Sequence, residues 1–233
     1  NSQYLPTSVW AHGQAYKGTK KMESLLGNMM LTYKKGWKNH YFDALALAEL
    51  QKETYTGFYT TVTNFNTDKF GYHNLQAGAL RPWEGTNSYY EQPHLASFMG
   101  RFNYTYADRY SLTMTARTDA SSKFGANHKW GFFPSVAGGW LVTNEKFMEN
   151  ALSVLSKLKF RGSYGLVGND QLAGRRFAFL STINSGNGFT YGLTGNQGIG
   201  GKFEGDFGVE DLSWETVKKT DIGVEIGLWD FVN

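Results

Sequence analysis

The sequence predicts an all-β fold in which antiparallel strands form part of a transmembrane β-barrel. Three observations support this. Apolar and polar residues alternate over about ten positions at a time, as in membrane-spanning strands. The connections sort into short and long ones, and aromatic residues cluster beside a short turn. The alternation predicts seven strands, at 23–34, 40–53, 95–106, 110–121, 131–142, 158–168 and 215–228.

The first two predicted strands flank the turn "GWKN" and form a hairpin, although the contrast between their faces is weak. The third and fourth flank the short polar turn "ADR" and alternate most clearly, so we expect a second hairpin there. One face of this hairpin is apolar: Phe102, Tyr104, Tyr106, Leu112, Met114. The other face is polar: Arg101, Asn103, Thr113, Arg117, Asp119.

The fifth strand, "PSVAGGWLVT", alternates less cleanly, whereas the sixth and seventh, "LKFRGSYGLVG" and "TDIGVEIGLW", alternate well. Their apolar positions are Phe160, Tyr164, Ile222, Val224 and Ile226. Their polar positions are Lys159, Arg161, Asp221 and Glu225. We expect the apolar set of all these strands to face lipid and the polar set to face a wet lumen.

The connections differ in length between the two ends of the predicted sheet. Those after the first, third and fifth strands are short or helical, whereas those after the second and sixth, 54–94 and 169–214, are long loops and the one after the fourth, 122–130, is of intermediate length. Transmembrane barrels have this asymmetry, with short periplasmic turns and long extracellular loops. Seven strands leave two unpaired edges, which lipid does not tolerate. We therefore expect the chain to be a segment of a larger barrel that does not fold alone.

The composition argues against several other functions. The net charge is only +3 and the basic residues are scattered, which argues against a nucleic-acid partner. There are no cysteines, and the five histidines show no metal-binding spacing. The glycine-rich stretch 195–205 lacks the spacing of a phosphate-binding loop. We predict no catalytic residues, no metal site and no cofactor, so the chain is not predicted to be an enzyme.

Three blocks of sequence resemble a known family. "SLTMTARTDASSKFGANHKWGFFPSVAGGWLVTNEKF", "LKFRGSYGLVGND" and "LSWETVKKTDIGVEIGLWD" resemble the C-terminal barrel of SusC/RagA-type TonB-dependent outer-membrane transporters. With "GRFNYTYADRY" they cover 100–170 and 212–230, and Ala120 stands where the family pattern leads us to expect glycine. The resemblance implies that 1–233 is one segment of a barrel of about 22 strands. By the same resemblance, we expect the segment 1–233 to include neither the plug nor the TonB box of the complete protein.

The resemblance also implies a location and partners. The complete protein would lie in the outer membrane of a Gram-negative, Bacteroidetes-like bacterium. It would import oligosaccharides, energised by TonB, together with a SusD-like surface lipoprotein. Aromatic residues of the long loops could stack on sugar rings. The candidates are Trp83, Tyr89, Tyr90, Phe189 and Tyr191.

Several alternatives remain open at this stage. The family could import peptides in a RagA-like manner, or the chain could belong to a siderophore or cobalamin receptor. A soluble β-sandwich lectin or adhesin would instead bury the apolar faces against each other. A β-barrel enzyme is a further alternative, for which no nucleophile and base are evident. The charged lumen positions could form either a simple charge lattice or a substrate path.

Overall fold

The computed structural model describes residues 13–67, 69–80, 85–151, 154–171, 175–191 and 197–229. Eleven strands occur in these ranges: β1 (Gln14–Trp37), β2 (His40–Thr63), β3 (Ala79–Leu80), β4 (Thr86–Glu91), β5 (His94–Tyr106), β6 (Tyr110–Ser121), β7 (Trp130–Leu141), β8 (Leu155–Asn169), β9 (Ile183–Tyr191), β10 (Gln197–Glu204) and β11 (Glu215–Leu228). The helical residues described are short 3₁₀ turns: Gly71–His73, Leu75–Ala77, Val142–Asn144 and Lys146–Ala151. Within these ranges, no helix has the length and apolar character needed to span a membrane.

The strands form one long path and one separate pair. The path runs β1-β2-β5-β6-β7-β8-β11, with β3 and β4 pairing with β2. Each of the seven strands of this path corresponds to one strand predicted from the sequence. The second sheet consists of β9 and β10, which pair antiparallel inside the predicted long loop.

β1 and β2 are longer than the sequence predicts. Each has 24 residues: β1 extends beyond the predicted range at both ends, and β2 extends into the following long connection. In β2 the added segment, "TYTGFYTTVT", is rich in Thr, Tyr and Phe, which favour strands. Because Thr and Tyr suit both faces of a strand, the segment lacks the apolar–polar contrast on which the prediction depended.

The chain divides into two compact units, and the division cuts through β1 and β2. Unit 1 comprises Asn1–Leu25, Lys52–Pro93 and Thr182–Asp206. Within its described residues, β3 and β4 pair with the end of β2. Ala15, Val62 and Phe65 are buried together, and Leu75 and Ala77 pack against them.

Unit 2 comprises Leu26–Gln51, His94–Ser181 and Phe207–Asn233. Its short turns lie at one end of the strands, and their residues Lys38, Ala107 and Asp108 have φ near +50°. This left-handed backbone conformation suits tight hairpin connections. The Ala107 amide donates a hydrogen bond to the Asn39 carbonyl at 2.7 Å, which joins two neighbouring turns. We call this end of the strands the turn end and the opposite end the loop end.

Candidate functional site

The strand register of unit 2 sorts the side chains into two faces. Residues that pair directly across antiparallel strands lie on the same face. Phe102 pairs with Met114, Met114 with Val136, and Val136 with Tyr164. Since faces alternate along a regularly paired strand, this row fixes the faces of its neighbours in β5–β8 and β11, up to Gly165 on β8 and up to the register shift at Gly227 on β11. All the residues predicted to face lipid share one face, and all those predicted to face the lumen share the other.

The apolar face is uncovered within the described part of unit 2. Ile222 is 84% exposed, Phe132 61% and Val224 50%, and none of the described elements packs over them. A large contiguous apolar face that is exposed in this way is rare on soluble monomers, and it marks contact with a partner or with lipid. The opposed sheets of a β-sandwich, expected under the lectin alternative, are not found on this face of the described residues.

An aromatic belt crosses this face at the turn end. Trp37 stacks on His40 at 5.2 Å between ring centroids, and His40 lies 4.9 Å from Tyr106. The belt continues with centroid distances of 6.3 Å through Tyr106, Tyr110, Trp140 and Phe160. Rings with polar atoms at their edges suit the membrane–water interface, where one end is apolar and the other wet.

A second aromatic belt, formed by Phe98, Trp130 and Phe132, lies on the same face nearer the loop end. Phe98 stacks on Trp130 at 6.3 Å. Phe98 and Tyr106 are eight positions apart on β5, which corresponds to about 26 Å along a strand. With the usual barrel tilt, this gives a height of about 20 Å, close to the roughly 25 Å band between the aromatic girdles of transmembrane barrels.

The polar face carries a lattice of paired side chains. Near the turn end, Asp43 lies 3.3 Å from the Lys34 ammonium and accepts a hydrogen bond from Asn103 at 3.5 Å. Asn103 in turn accepts one from Thr113 at 2.9 Å. On β11, Glu225 pairs with Lys157 at 2.9 Å. A wet lumen accommodates such pairs, whereas unpaired charges would be costly on the other face.

The loop end of the polar face contains a compact cluster that the sequence did not predict. Phe124 is fully buried and lies 5.4 Å from the Trp214 ring, while Phe133 lies 5.3 Å from the same ring. Phe133 occupies a position of the polar face, and Gly131 and Gly168 leave room for it, because a Cβ at either would overlap its ring. The available sequence signal was an aromatic residue at a polar-face position, two residues after Gly131.

Paired polar groups lie at the same end of the polar face. Arg117 contacts Asp119 at 2.9 Å and donates to the Ser97 hydroxyl at 3.1 Å. Lys123 pairs with Asp170 at 3.0 Å, with both side chains mostly buried. The cluster therefore fastens the β6–β7 connection to the end of β8. Asp119 and Arg117, predicted to line the lumen, are held in this cluster.

At the turn end, Glu145 joins three side chains. Its carboxylate accepts hydrogen bonds from Tyr110 at 2.6 Å, Arg109 at 2.7 Å and Trp140 at 3.0 Å. The bonds from Tyr110 and Arg109 are the main reason that the pKa of Glu145 is lowered below its ordinary value. In return, the bond to Glu145 raises the pKa of Arg109. Glu145 therefore fixes the start of the β7–β8 connection to the β5–β6 turn.

In unit 1, two of the predicted ligand-binding aromatics lie on β4. Tyr89 pairs with Gly57 and Tyr90 with Thr56, so these neighbours point to opposite faces. The Tyr89 ring lies directly over Gly57. Tyr90 is 64% exposed, and its hydroxyl accepts a hydrogen bond from Gln92 at 2.6 Å. Trp83 and the side chains of Phe189 and Tyr191 lie outside the described residues.

Other tyrosines share the face of Tyr89. Tyr55 and Tyr59 lie two positions to either side of Gly57 on β2, and Tyr16 contacts the Tyr59 ring at 5.6 Å. The Tyr59 hydroxyl accepts a hydrogen bond from Asn87 at 2.8 Å. We call Tyr16, Tyr55, Tyr59 and Tyr89 the tyrosine group. Of this group only Tyr89 was a candidate in the sequence, because the other three are recognised only from the pairing of β4 with β2 and from the contact of Tyr16 with Tyr59.

Comparison with known families identifies this fold. The family model described as "TonB dependent receptor-like, beta-barrel" matches residues 3–233. The chain belongs to this TonB-dependent receptor family. The resemblance stated from the sequence blocks is thereby confirmed, as is the all-β fold of an antiparallel barrel segment.

Relatives of known name support the same assignment. TonB-dependent receptor P3 of Formosa agariphila is 32% identical over 98% of this chain, which covers 22% of that receptor. TonB-dependent receptor SusC of Bacteroides thetaiotaomicron is 32% identical over 62% of this chain and 16% of its own length. The chain thus spans about a fifth of the curated TonB-dependent receptors that it matches.

Solved structures share the fold. A structure of the RagAB peptide transporter superposes with a TM-score of 0.78 and 23% identity, over 93% of this chain and 23% of that one. The RagAB peptide importer in its closed-closed state gives a TM-score of 0.77. The described strands of the TonB-dependent receptor segment therefore have the arrangement found in part of a RagAB chain.

Proposed function

We propose that the complete protein is an outer-membrane transporter that imports oligosaccharides, energised by TonB, with a SusD-like lipoprotein as its surface partner. The observation that carries the proposal is the uncovered apolar face bounded by two aromatic belts, opposite a polar face of paired charges. This is the division of surfaces that a barrel wall needs between lipid and a wet lumen. The similarity to SusC of Bacteroides thetaiotaomicron supports the transport class.

The tyrosine group of unit 1 supports a glycan as the cargo. The rings of Tyr16 and Tyr59 contact each other, the Asn87 amide donates to the Tyr59 hydroxyl, and the Tyr55 hydroxyl donates to the Glu53 carboxylate at 2.8 Å. A sugar ring has an apolar C–H face beside hydroxyl groups, so aromatic rings next to polar atoms suit it. Peptide import is the second candidate, supported by the shared fold with the RagAB peptide importer. Import of a siderophore or of cobalamin is the third candidate function.

A pair of variants on β4 tests the role of the tyrosine group. In the full-length protein, we expect Tyr89→Ala to weaken binding of the imported oligosaccharide by about three- to tenfold, because one stacking contact is lost. The matched control is Tyr90→Ala, which removes a ring from the neighbouring position on the opposite face. Isothermal titration with oligosaccharides that support growth of the source organism measures both.

Two results would contradict the glycan proposal. Equal loss in both variants would show that the face of Tyr89 has no special role. Uptake of labelled peptides, with no uptake of oligosaccharides by the intact transporter, would favour the peptide alternative. A loss confined to Tyr89→Ala would support a glycan that contacts the tyrosine group.

A further inference from the structure

A glycine lies beneath the ring of Tyr89 in unit 1. Gly57 on β2 pairs directly with Tyr89 on β4, so the two residues occupy the same face of the sheet. A Cβ at Gly57 would overlap the outer end of the Tyr89 ring, at its Cε1 and Cζ atoms and its hydroxyl oxygen. The Tyr89 side chain therefore leans across from β4 and lies along the sheet, instead of standing out from it. Tyr89 is 37% exposed, so the side of the ring away from the sheet is open.

Two further tyrosines border this ring along β2. Tyr55 and Tyr59 lie two positions before and after Gly57 and share its face, so they stand about 13 Å apart. Polar atoms accompany both of them: the Tyr59 hydroxyl accepts a hydrogen bond from Asn87, and the Tyr55 hydroxyl donates one to a carboxylate on its own strand. The Tyr89 ring therefore lies low on this face, with aromatic and hydrogen-bonding groups on either side.

The close approach at Gly57 differs from that at another glycine of this face. A Cβ at Gly18 on β1 would lie 2.8 Å from the Cβ of Tyr59 and 2.9 Å from the Phe58 carbonyl oxygen, which belongs to the backbone. The sheet itself therefore requires glycine at position 18. At Gly57, by contrast, all three nearest atoms belong to the end of a single side chain, which can rotate. Glycine at position 57 is thus required by the placement of the Tyr89 ring and not by the strand.

We propose that Gly57 is a positioning residue for the cargo, because it allows the Tyr89 ring to lie along the sheet and to stack on one pyranose unit of the oligosaccharide. The C–H face of the sugar meets the open side of the ring, and its hydroxyl groups meet the polar atoms beside Tyr55 and Tyr59. Any side chain at position 57 pushes the ring away from the sheet and out of this orientation. The inference rests on the proposed function, to which it adds the orientation of the stacked sugar, parallel to the sheet.

The chain offers a matched pair of glycine variants for the test. Gly57→Ala adds one methyl group at a place where only the Tyr89 ring has to move. Gly27 also lies within a strand, β1, and a Cβ there meets no atom within 4 Å. Gly27→Ala therefore makes the same change to the conformational freedom of the chain without displacing a ring.

The first measurement is fluorine NMR of the full-length protein with 3-fluorotyrosine in place of Tyr89. Heat-modifiable gel migration verifies beforehand that each variant is folded. We expect Gly57→Ala to shift the fluorine resonance, because the ring is displaced from the backbone. Gly27→Ala should leave the resonance where it lies in the protein without a glycine substitution.

The second measurement is isothermal titration of the full-length protein with a purified oligosaccharide that supports growth of the source organism. We expect Gly57→Ala to weaken binding about three- to tenfold, as Tyr89→Ala does. The variant with both substitutions should bind no more weakly than Tyr89→Ala alone, because Gly57 acts only through this ring. Gly27→Ala should bind as wild type does.

An unshifted resonance in Gly57→Ala would overturn the positioning role, as would an equal loss of binding in Gly27→Ala. Unchanged binding in Gly57→Ala together with a loss in Tyr89→Ala would also overturn it, and so would losses that multiply in the double variant. Each of these results leaves the proposed function standing, because wild type still binds the oligosaccharide. A wild-type protein that binds none of the growth-supporting oligosaccharides would instead contradict the proposed function, and this inference would fail with it.

Discussion

Glu145 shows how a single side chain organises the turn end. Its carboxylate accepts bonds from Tyr110, Arg109 and Trp140, which come from a turn and from two strands. The sequence did not predict this role. Its partners Arg109 and Tyr110 are 36 and 35 positions away, and they converge only when the register of β6 and β7 is set. The stretch expected to be helical instead contains two short 3₁₀ turns, which place Glu145 between them.

The pH dependence of stability follows from the lowered pKa of Glu145. A carboxyl whose pKa is lower in the folded state stabilises that state above its unfolded pKa, about 4.3, and loses this contribution as pH falls through the folded pKa. We expect Glu145→Gln to lower the melting temperature of the full-length protein at neutral pH. The difference from wild type should shrink under acidic conditions. Differential scanning calorimetry across this pH range measures it.

Glu149→Gln is the control, because Glu149 is exposed in the same connection. It should leave the melting temperature unchanged. A Glu145→Gln variant as stable as wild type at neutral pH would remove the role assigned to this carboxylate.

At the scale of the element, alternation predicts most of the strand path. β5 and β6 lie within one residue of their predicted bounds, because strong alternation and a short turn define both ends. β3, β4, β9 and β10 were not predicted, since they lie in segments without regular alternation. The pairing of Tyr89 with Gly57, and hence the tyrosine group, depends on β4 and could not follow from the sequence pattern.

The assignment of the two faces makes a prediction on β7. Val136 lies on the apolar face midway between the aromatic belts, and Ser135 lies on the polar face. Val136→Arg should destabilise the full-length protein by about 2–4 kcal/mol, because it places a charge in lipid. Ser135→Arg should be tolerated. Unfolding titrations of the protein refolded in bilayers compare the two, and equal costs would contradict the assignment.

At the scale of the whole molecule, the family and the barrel fold could be predicted from the sequence, but the cargo could not. The blocks that carry the resemblance lie in β6–β8 and β11 and in their loop-end cluster, which build the wall. The cargo depends on loops and on the rest of the receptor, of which this chain spans about a fifth. β1 and β11 lie at the edges of the path. Because lipid does not tolerate unpaired backbone, we expect both to be paired in the complete protein.

The central claim is that one face of this sheet meets lipid and the other meets water. Spin labels placed singly along 99–119 in the full-length protein in bilayers test it most directly, using oxygen and a water-soluble nickel reagent as probes. We expect labels at even strand positions from 102 to 116 to be accessible to oxygen, and labels at odd positions to be accessible to nickel. Even positions shielded from both reagents would place the apolar face inside a protein core and contradict the claim.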